Sequence, residues 1–303
     1  MKTIHTFTLS LALCLLTSQV AAAELVQTVR SKLSAGDLAS GVHAVEEYKK
    51  KNGVDNEYLD AVGWLARGAE MLGRREAAAA YVAELRREIR EEKSDWLGAL
   101  GAAIEVEGKL IAARDGRGPA LQFLTTELGR AKSVALRSRI GKNINQLSLE
   151  GQPAPPLAIS DFIGPQPQAL TVYKGKPVLL FMWANWCGDC RAQAAALAGV
   201  WKKYRAQGLV VIAPTRYYGN AGPKTATPAA EKVHVEKIWK EGYAGLEEVP
   251  IVIDTETMVR YGVSATPTFV LIDRRGLVRM YAVTRMAETE LSRQIEAVLA
   301  EAP

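Results

Sequence analysis

The chain has 303 residues, of which 48% are apolar and 23% charged, a balance that suits two folded units and excludes a disordered polyelectrolyte. Three cysteines and three histidines exclude a disulfide-stapled miniprotein and a metal-knuckle array. The formal charge of +5 is a weak basis for nucleic-acid binding, because basic residues mostly alternate with acids, as in RREIREEK from Arg86 to Lys93, which reads as a solvated helix face.

At the start, Lys2 precedes an apolar stretch from Phe7 to Leu16, followed by Ser18, Gln19 and the small residues Ala21, Ala22 and Ala23. This layout predicts a secretory signal peptide over residues 1–23. Its apolar part is short against the roughly 20 residues of a bilayer crossing; a buried first helix and an uncleaved anchor are the alternatives. Bulky Leu13 before Cys14 is a poor match to the small residue of bacterial lipoprotein signals. Processing after Ala23 removes Lys2 and Cys14 and leaves one cysteine pair, Cys187 and Cys190.

From Glu24 to about Leu149, apolar residues recur at three- and four-residue intervals between charges, which predicts helices over about 25–35, 38–50, 56–72, 74–92, 95–113 and 119–139. Two segments, Gly68 to Leu85 and Gly108 to Leu128, share an outline of glycine, helix, basic turn and alanine-rich helix. The outline loosely resembles tetratricopeptide-type hairpins, with an irregular helical bundle as the equal alternative. GQPAPPL, Gly151 to Leu157, is a stiff extended stretch that no helix tolerates, and it predicts a boundary between a helical domain (24–150) and a second domain (151–303).

Beyond it, VLLFMW (178–183), GLVVIAPT (208–215), PIVI (250–253), TFVLI (268–272) and LVRMY (277–281) are short apolar runs separated by helical or looped stretches, so the second domain is α/β. The first two are apolar enough for central strands covered on both faces. Residues Tyr217 to Leu246 form an insertion or crossover with a helix around Val233–Lys240, and an amphipathic helix over about 287–299 closes the chain.

The sharpest signal is WANWCGDCRAQ, Trp183 to Gln193, directly after a predicted strand. At a helix start the first thiol is exposed and the second lies one turn inward, within disulfide reach. Backbone N–H groups and the positive helix end stabilise a thiolate at Cys187. Cys187 is therefore the expected nucleophile, attacking a substrate disulfide, and Cys190 the resolving thiol. Zinc would need two further ligands, and His43 and His234 lie alone in helical stretches; an inert structural disulfide stays open.

With these residues in view, the chain resembles the thioredoxin-fold thiol–disulfide oxidoreductases, in particular the exported TlpA/ResA-type branch. The resemblance spans roughly Gln152 to Glu301 and rests on VLLFMWANWCGDC and on YGVSATPTFVLIDRRG, Tyr261 to Gly276. It implies an active-site cis-proline at Pro267, a substrate-backbone contact at Thr266, and a docking surface that includes Trp186, Gly188 and Asp189. It also implies no separate cofactor or metal, protein thiols or disulfides as substrates, a membrane-linked redox donor or acceptor, and a periplasmic location.

Two positions depart from the family pattern. Phe181 stands where related proteins often carry a buried Asp, and Gln193 where ResA-like proteins often carry a Glu. Asp189 is then the substitute carboxylate by proximity; its charge favours the helix start yet disfavours a neighbouring thiolate. The expectation is a Cys187 less acidic than in a strong oxidant, which leans toward a reductase. The helical region is expected to dock a partner or a dimer mate. The competing functions are an envelope adaptor with a structural CxxC and a thiol peroxidase, although the sequence lacks the threonine-and-cysteine arrangement of a peroxiredoxin site.

Overall fold

The structure, a computed structural model, describes residues 24–301. The expected signal segment lies outside the described residues. The chain divides into two compact units, with the division between Lys132 and Ser133.

The first unit is all helical: α1 (residues 24–34), α2 (Leu38–Asn52), α3 (Asn56–Met71), α4 (Arg75–Glu88), α5 (Leu97–Asp115) and α6 (Arg117–Arg130). Asp37 and Asp55 cap α2 and α3 by accepting from the backbone N–H groups of Ser40 and Tyr58. Small residues set the spacing inside: Ala61, Ala66, Ala69, Ala102 and Ala103 are fully buried, and a Cβ on Gly63 would lie 3.0 Å from that of Ala102, which brings α3 close to α5. The two segments of similar outline fall on the packed pairs α3–α4 and α5–α6. Arg86 on α4 joins the pairs, forking onto Glu107 at 2.8 and 2.9 Å and reaching Glu127 at 3.1 Å.

The helix expected over 119–139 is two helices. Ala131 is extended, and Ser133 restarts the chain as the cap of α7 (Val134–Ser148), its hydroxyl accepting from Leu136 N–H. The helix expected to reach residue 92 ends at Glu88, where Ile89 turns extended.

Helix α7 belongs to the second unit. Its Gly141 abuts Gly262, which has φ +63°, and a Cβ on Gly262 would collide with the backbone of Gly141 and Lys142. Asn145 Nδ2 also donates to Arg260 O. The GQPAPPL stretch follows α7 and runs along a strand edge, with Gly151 N–H donating to Val278 O and Ala154 N–H to Gly276 O.

The second unit continues with β1 (Asp161–Ile163), β2 (Val178–Met182), α8 (Gly188–Tyr204), β3 (Val210–Ile212), β4 (Asn220–Ala221), β5 (Lys224–Thr225), α9 (Pro228–Gly242), β6 (Ile251–Ile253), α10 (Thr255–Arg260), β7 (Thr268–Ile272), β8 (Val278–Ala282) and α11 (Glu288–Ala300). The main sheet has the order β3-β2-β7-β8, parallel between β2 and β3 and antiparallel elsewhere. Residues just beyond β3 bridge to β6 at Thr215 and Ile253, and β6 pairs with β1 in antiparallel register.

The period-2 alternation of strands explains the unbroken apolar runs. Leu179, Phe181, Trp183, Phe269 and Leu271 enter one core with residues of α8, α9 and α11. Val178, Leu180, Met182, Val270 and Ile272 enter the other with Met258 and Tyr261. Both faces of β2 are thus sealed, and the strand ends at Met182, five residues before Cys187.

Candidate active site

The cysteine pair sits where β2 hands over to α8. Cys187 is the N-cap of α8, and its sulfur accepts from Cys190 N–H at 3.0 Å. The turn before it is closed by Cys187 N–H donating to Ala184 O at 3.1 Å. Cys187 retains 7% exposure, Cys190 none, and the two form a disulfide. An N-cap sulfur facing a backbone donor at the positive helix end is a stabilised leaving or attacking thiolate once the bond is reduced. Cys190, Ala194, Leu197, Val200 and Tyr204 make up the buried stripe of α8, so the second thiol points inward because it belongs to the core face.

The other expected residues surround this turn. Gly188 and Asp189 are exposed in the first turn of α8, and Trp186 is 59% exposed. Thr266 is half-buried, with its carbonyl oxygen 3.5 Å from Cys187 Sγ, and the Thr266–Pro267 peptide at the entrance to β7 is cis. Asp189 Oδ1 lies 3.7 Å from the Arg285 guanidinium, an exposed pair of small energetic weight. His43 and His234 lie in separate helices, His234 accepting from Gly222 N–H. Among the described residues no group of three or more His, Cys, Asp or Glu side chains is gathered to hold a metal ion.

The two departures from the family pattern have distinct packing roles. Phe181 lies in the buried cluster that contains both cysteines, its ring centroid 5.3 Å from Phe269 and 6.1 Å from Tyr243. Gln193 is buried and uses both ends of its amide: Nε2 donates to Met286 O at 2.7 Å and Oε1 accepts from Met286 N–H at 2.8 Å. A carboxylate at this position would lack the donor half of that clamp. Burial pushes the phenols of Tyr218 and Tyr243 above their ordinary range.

Sequence reasoning missed Glu231 and Asn185. Glu231, in the first turn of α9, has no solvent exposure, and Asn185, inside WANWC, is 4% exposed. Asn185 Nδ2 donates to Glu231 Oε1 at 3.4 Å. An acid just after the Thr227–Pro228 helix start reads as an ordinary solvated first-turn carboxylate; only the fold of the 217–220 loop over it makes it internal.

Residues 151–281 match the AhpC/TSA family. The thiol-disulfide oxidoreductase ResA of Geobacillus thermodenitrificans is 31% identical over 150 residues, covering 49% of this chain and 77% of that protein. The thioredoxin-like protein YneN of Bacillus subtilis is 28% identical, over 48% of this chain and 79% of its own length. Among solved structures, a putative thiol:disulfide interchange protein DsbE from Chlorobium tepidum aligns with 29% identity and a TM-score of 0.40, over 50% of this chain and 98% of that one. With a thioredoxin-like α/β unit that carries the Cys187–Cys190 pair at the start of α8, the chain belongs to the ResA-like thiol–disulfide oxidoreductases.

Proposed function

We propose that the protein is a periplasmic oxidoreductase that reduces protein disulfides through Cys187 and Cys190. The observation that carries this reading is the Cys187 sulfur: at the N-cap of α8, opposite a backbone N–H, beside the Thr266 carbonyl and bonded to the sulfur of Cys190, a residue with no exposure of its own. In the reduced protein the Cys187 thiolate attacks one sulfur of a substrate disulfide and expels the other as a thiolate. Cys190 then attacks Cys187, releasing the second substrate thiol and closing the Cys187–Cys190 disulfide. Two electrons pass from the pair to the substrate, and an external dithiol donor, membrane-linked in this reading, restores the reduced pair.

In this reading an incoming chain lies across Trp186, Gly188, Asp189, Thr266 and Pro267 as it reaches Cys187, which is supported by the Thr266 carbonyl 3.5 Å from the Cys187 sulfur. The lean toward the reductase direction rests on Asp189 in the first turn of α8, whose charge opposes the thiolate that the helix end favours. The Lys2-to-Ala23 segment supports export. No described helix is long and apolar enough to cross a membrane. The helical unit would serve partner docking or self-association. The test is to replace Cys190 with Ser in the producing cell and recover mixed disulfides. Proteins joined to Cys187 and released by reductant are expected; traps that stay empty while the wild-type pair remains oxidised would contradict the proposal.

A further inference from the structure

Glu231 is a carboxylate without solvent exposure, in a position where first-turn acids ordinarily face water. Its Oε1 accepts from Tyr218 N–H at 2.7 Å and from Asn185 Nδ2 at 3.4 Å, and its Oε2 accepts from Gly219 N–H at 2.8 Å. Every partner is a donor, which is the set a buried carboxylate requires. Asn185 in turn donates to Asn220 O at 3.3 Å, and it lies inside the turn that Cys187 N–H and Ala184 O close. One carboxylate therefore joins helix α9, the 218–220 loop and the turn that presents Cys187.

The outer side of this junction is a surface. The Trp186 and Tyr218 rings meet edge to face with centroids 5.5 Å apart, and the Arg216 guanidinium lies 4.7 Å from the Tyr218 ring centroid. Trp186 leaves the clasped turn one residue after Asn185, and Tyr218 leaves the clasped loop at the residue whose N–H Glu231 holds. The relative placement of the two rings is thus set from inside by groups that no substrate touches.

We propose that Glu231, acting through Asn185, is a positioning residue that fixes Tyr218 beside Trp186 and so extends the substrate-docking surface along the 216–218 loop, where it fits an apolar or aromatic side chain near the cysteine of a protein substrate. The inference rests on the proposed action on protein disulfides. It predicts that the clasp governs how protein substrates bind more than how the thiol reacts.

The test compares insulin, a protein disulfide, with hydroxyethyl disulfide, a small one, using Glu231→Ala, Asn185→Ala, the double variant and the exposed-face control Lys237→Ala. The expected result is a KM for insulin raised about tenfold in either single variant with kcat changed less than about twofold, so that preference for insulin over the small disulfide falls. The double variant should lose no more than the worse single one, because both break one connection, and Lys237→Ala should keep the wild-type preference. Equal losses on both substrates, unchanged preference, or additive losses would overturn the proposal. Should Glu231→Ala fail to fold, Asn185→Ala and Glu231→Gln, which keeps one acceptor oxygen, decide it. Should the wild type react with hydroxyethyl disulfide and not with insulin, the protein-substrate reading fails; the clasp is then judged by amide exchange at Tyr218 and Gly219, where unchanged rates in Glu231→Gln would overturn it too.

Discussion

Within the core that the cysteines share, the chain places Phe181 among Phe269 and Tyr243, whereas on the flank of the cysteine turn it buries Glu231 among three donors. The first region is held by apolar area and shape, the second by directed hydrogen bonds to one charge. Loss of a side chain from the first leaves a cavity and is felt as stability. Loss from the second frees a loop and a turn that meet beside Trp186 and Tyr218, and on the proposed reading it is felt as function. The Cys187–Cys190 pair shares the buried cluster of the first region and follows the Asn185 turn held by the second.

Removing the pair itself is the largest perturbation, because it abolishes the chemistry on which both regions act. Cys187→Ser should lower the rate of insulin reduction by at least about a thousandfold while the denaturation midpoint of the reduced protein barely moves. Phe181→Ala comes next and should cost about 3–5 kcal/mol in urea unfolding, with kcat/KM of the folded protein nearly retained; a large loss of activity at full folding would erase the distinction between the two regions. Gln193→Glu is smaller, about 1–3 kcal/mol, since a carboxylate cannot donate to the Met286 carbonyl that Gln193 now holds.

A control away from both regions comes from Asp273, whose side chain is 2% exposed at the end of β7. Burial pushes its carboxyl up, but the Leu277 and Arg275 N–H groups and the Arg275 guanidinium outweigh that and hold it below its ordinary value. A depressed folded-state value contributes stability above the unfolded value and loses it as pH falls, here below about pH 4. Asp273→Asn should flatten the acid limb of the stability profile without altering insulin turnover; an acid limb that keeps its full slope would show that other carboxylates carry it.

Strands β2 and β7 and the cysteine turn were readable because each rests on local chemistry: continuous apolar runs for strands sealed on both faces, and two thiols one helical turn apart. The α6–α7 break was missed because its signal is a single capping Ser133 in an otherwise periodic stretch, and periodicity alone ran across it. Strand β1 was missed because three residues, Asp161 to Ile163, carry no pattern until β6 pairs with them. The compact units divide ahead of α7, before the GQPAPPL stretch, for a tertiary reason, the close approach of Gly141 to Gly262, which draws α7 onto α10. Within the site, the thiols were legible and Glu231 was not. Its burial is a property of the loop that folds over it, a contact between residues 12 and 13 positions apart with no marker in composition or spacing.

The most direct test of the central claim is a single-turnover reaction of the fully reduced protein with insulin, quenched with alkylating agent and read at both ends by mass spectrometry. One insulin disulfide should be opened for each Cys187–Cys190 disulfide formed, through a transient mixed disulfide at Cys187. Insulin left intact beside a reduced, freely alkylated pair, or oxidation of the pair with no thiols appearing on insulin, would contradict it.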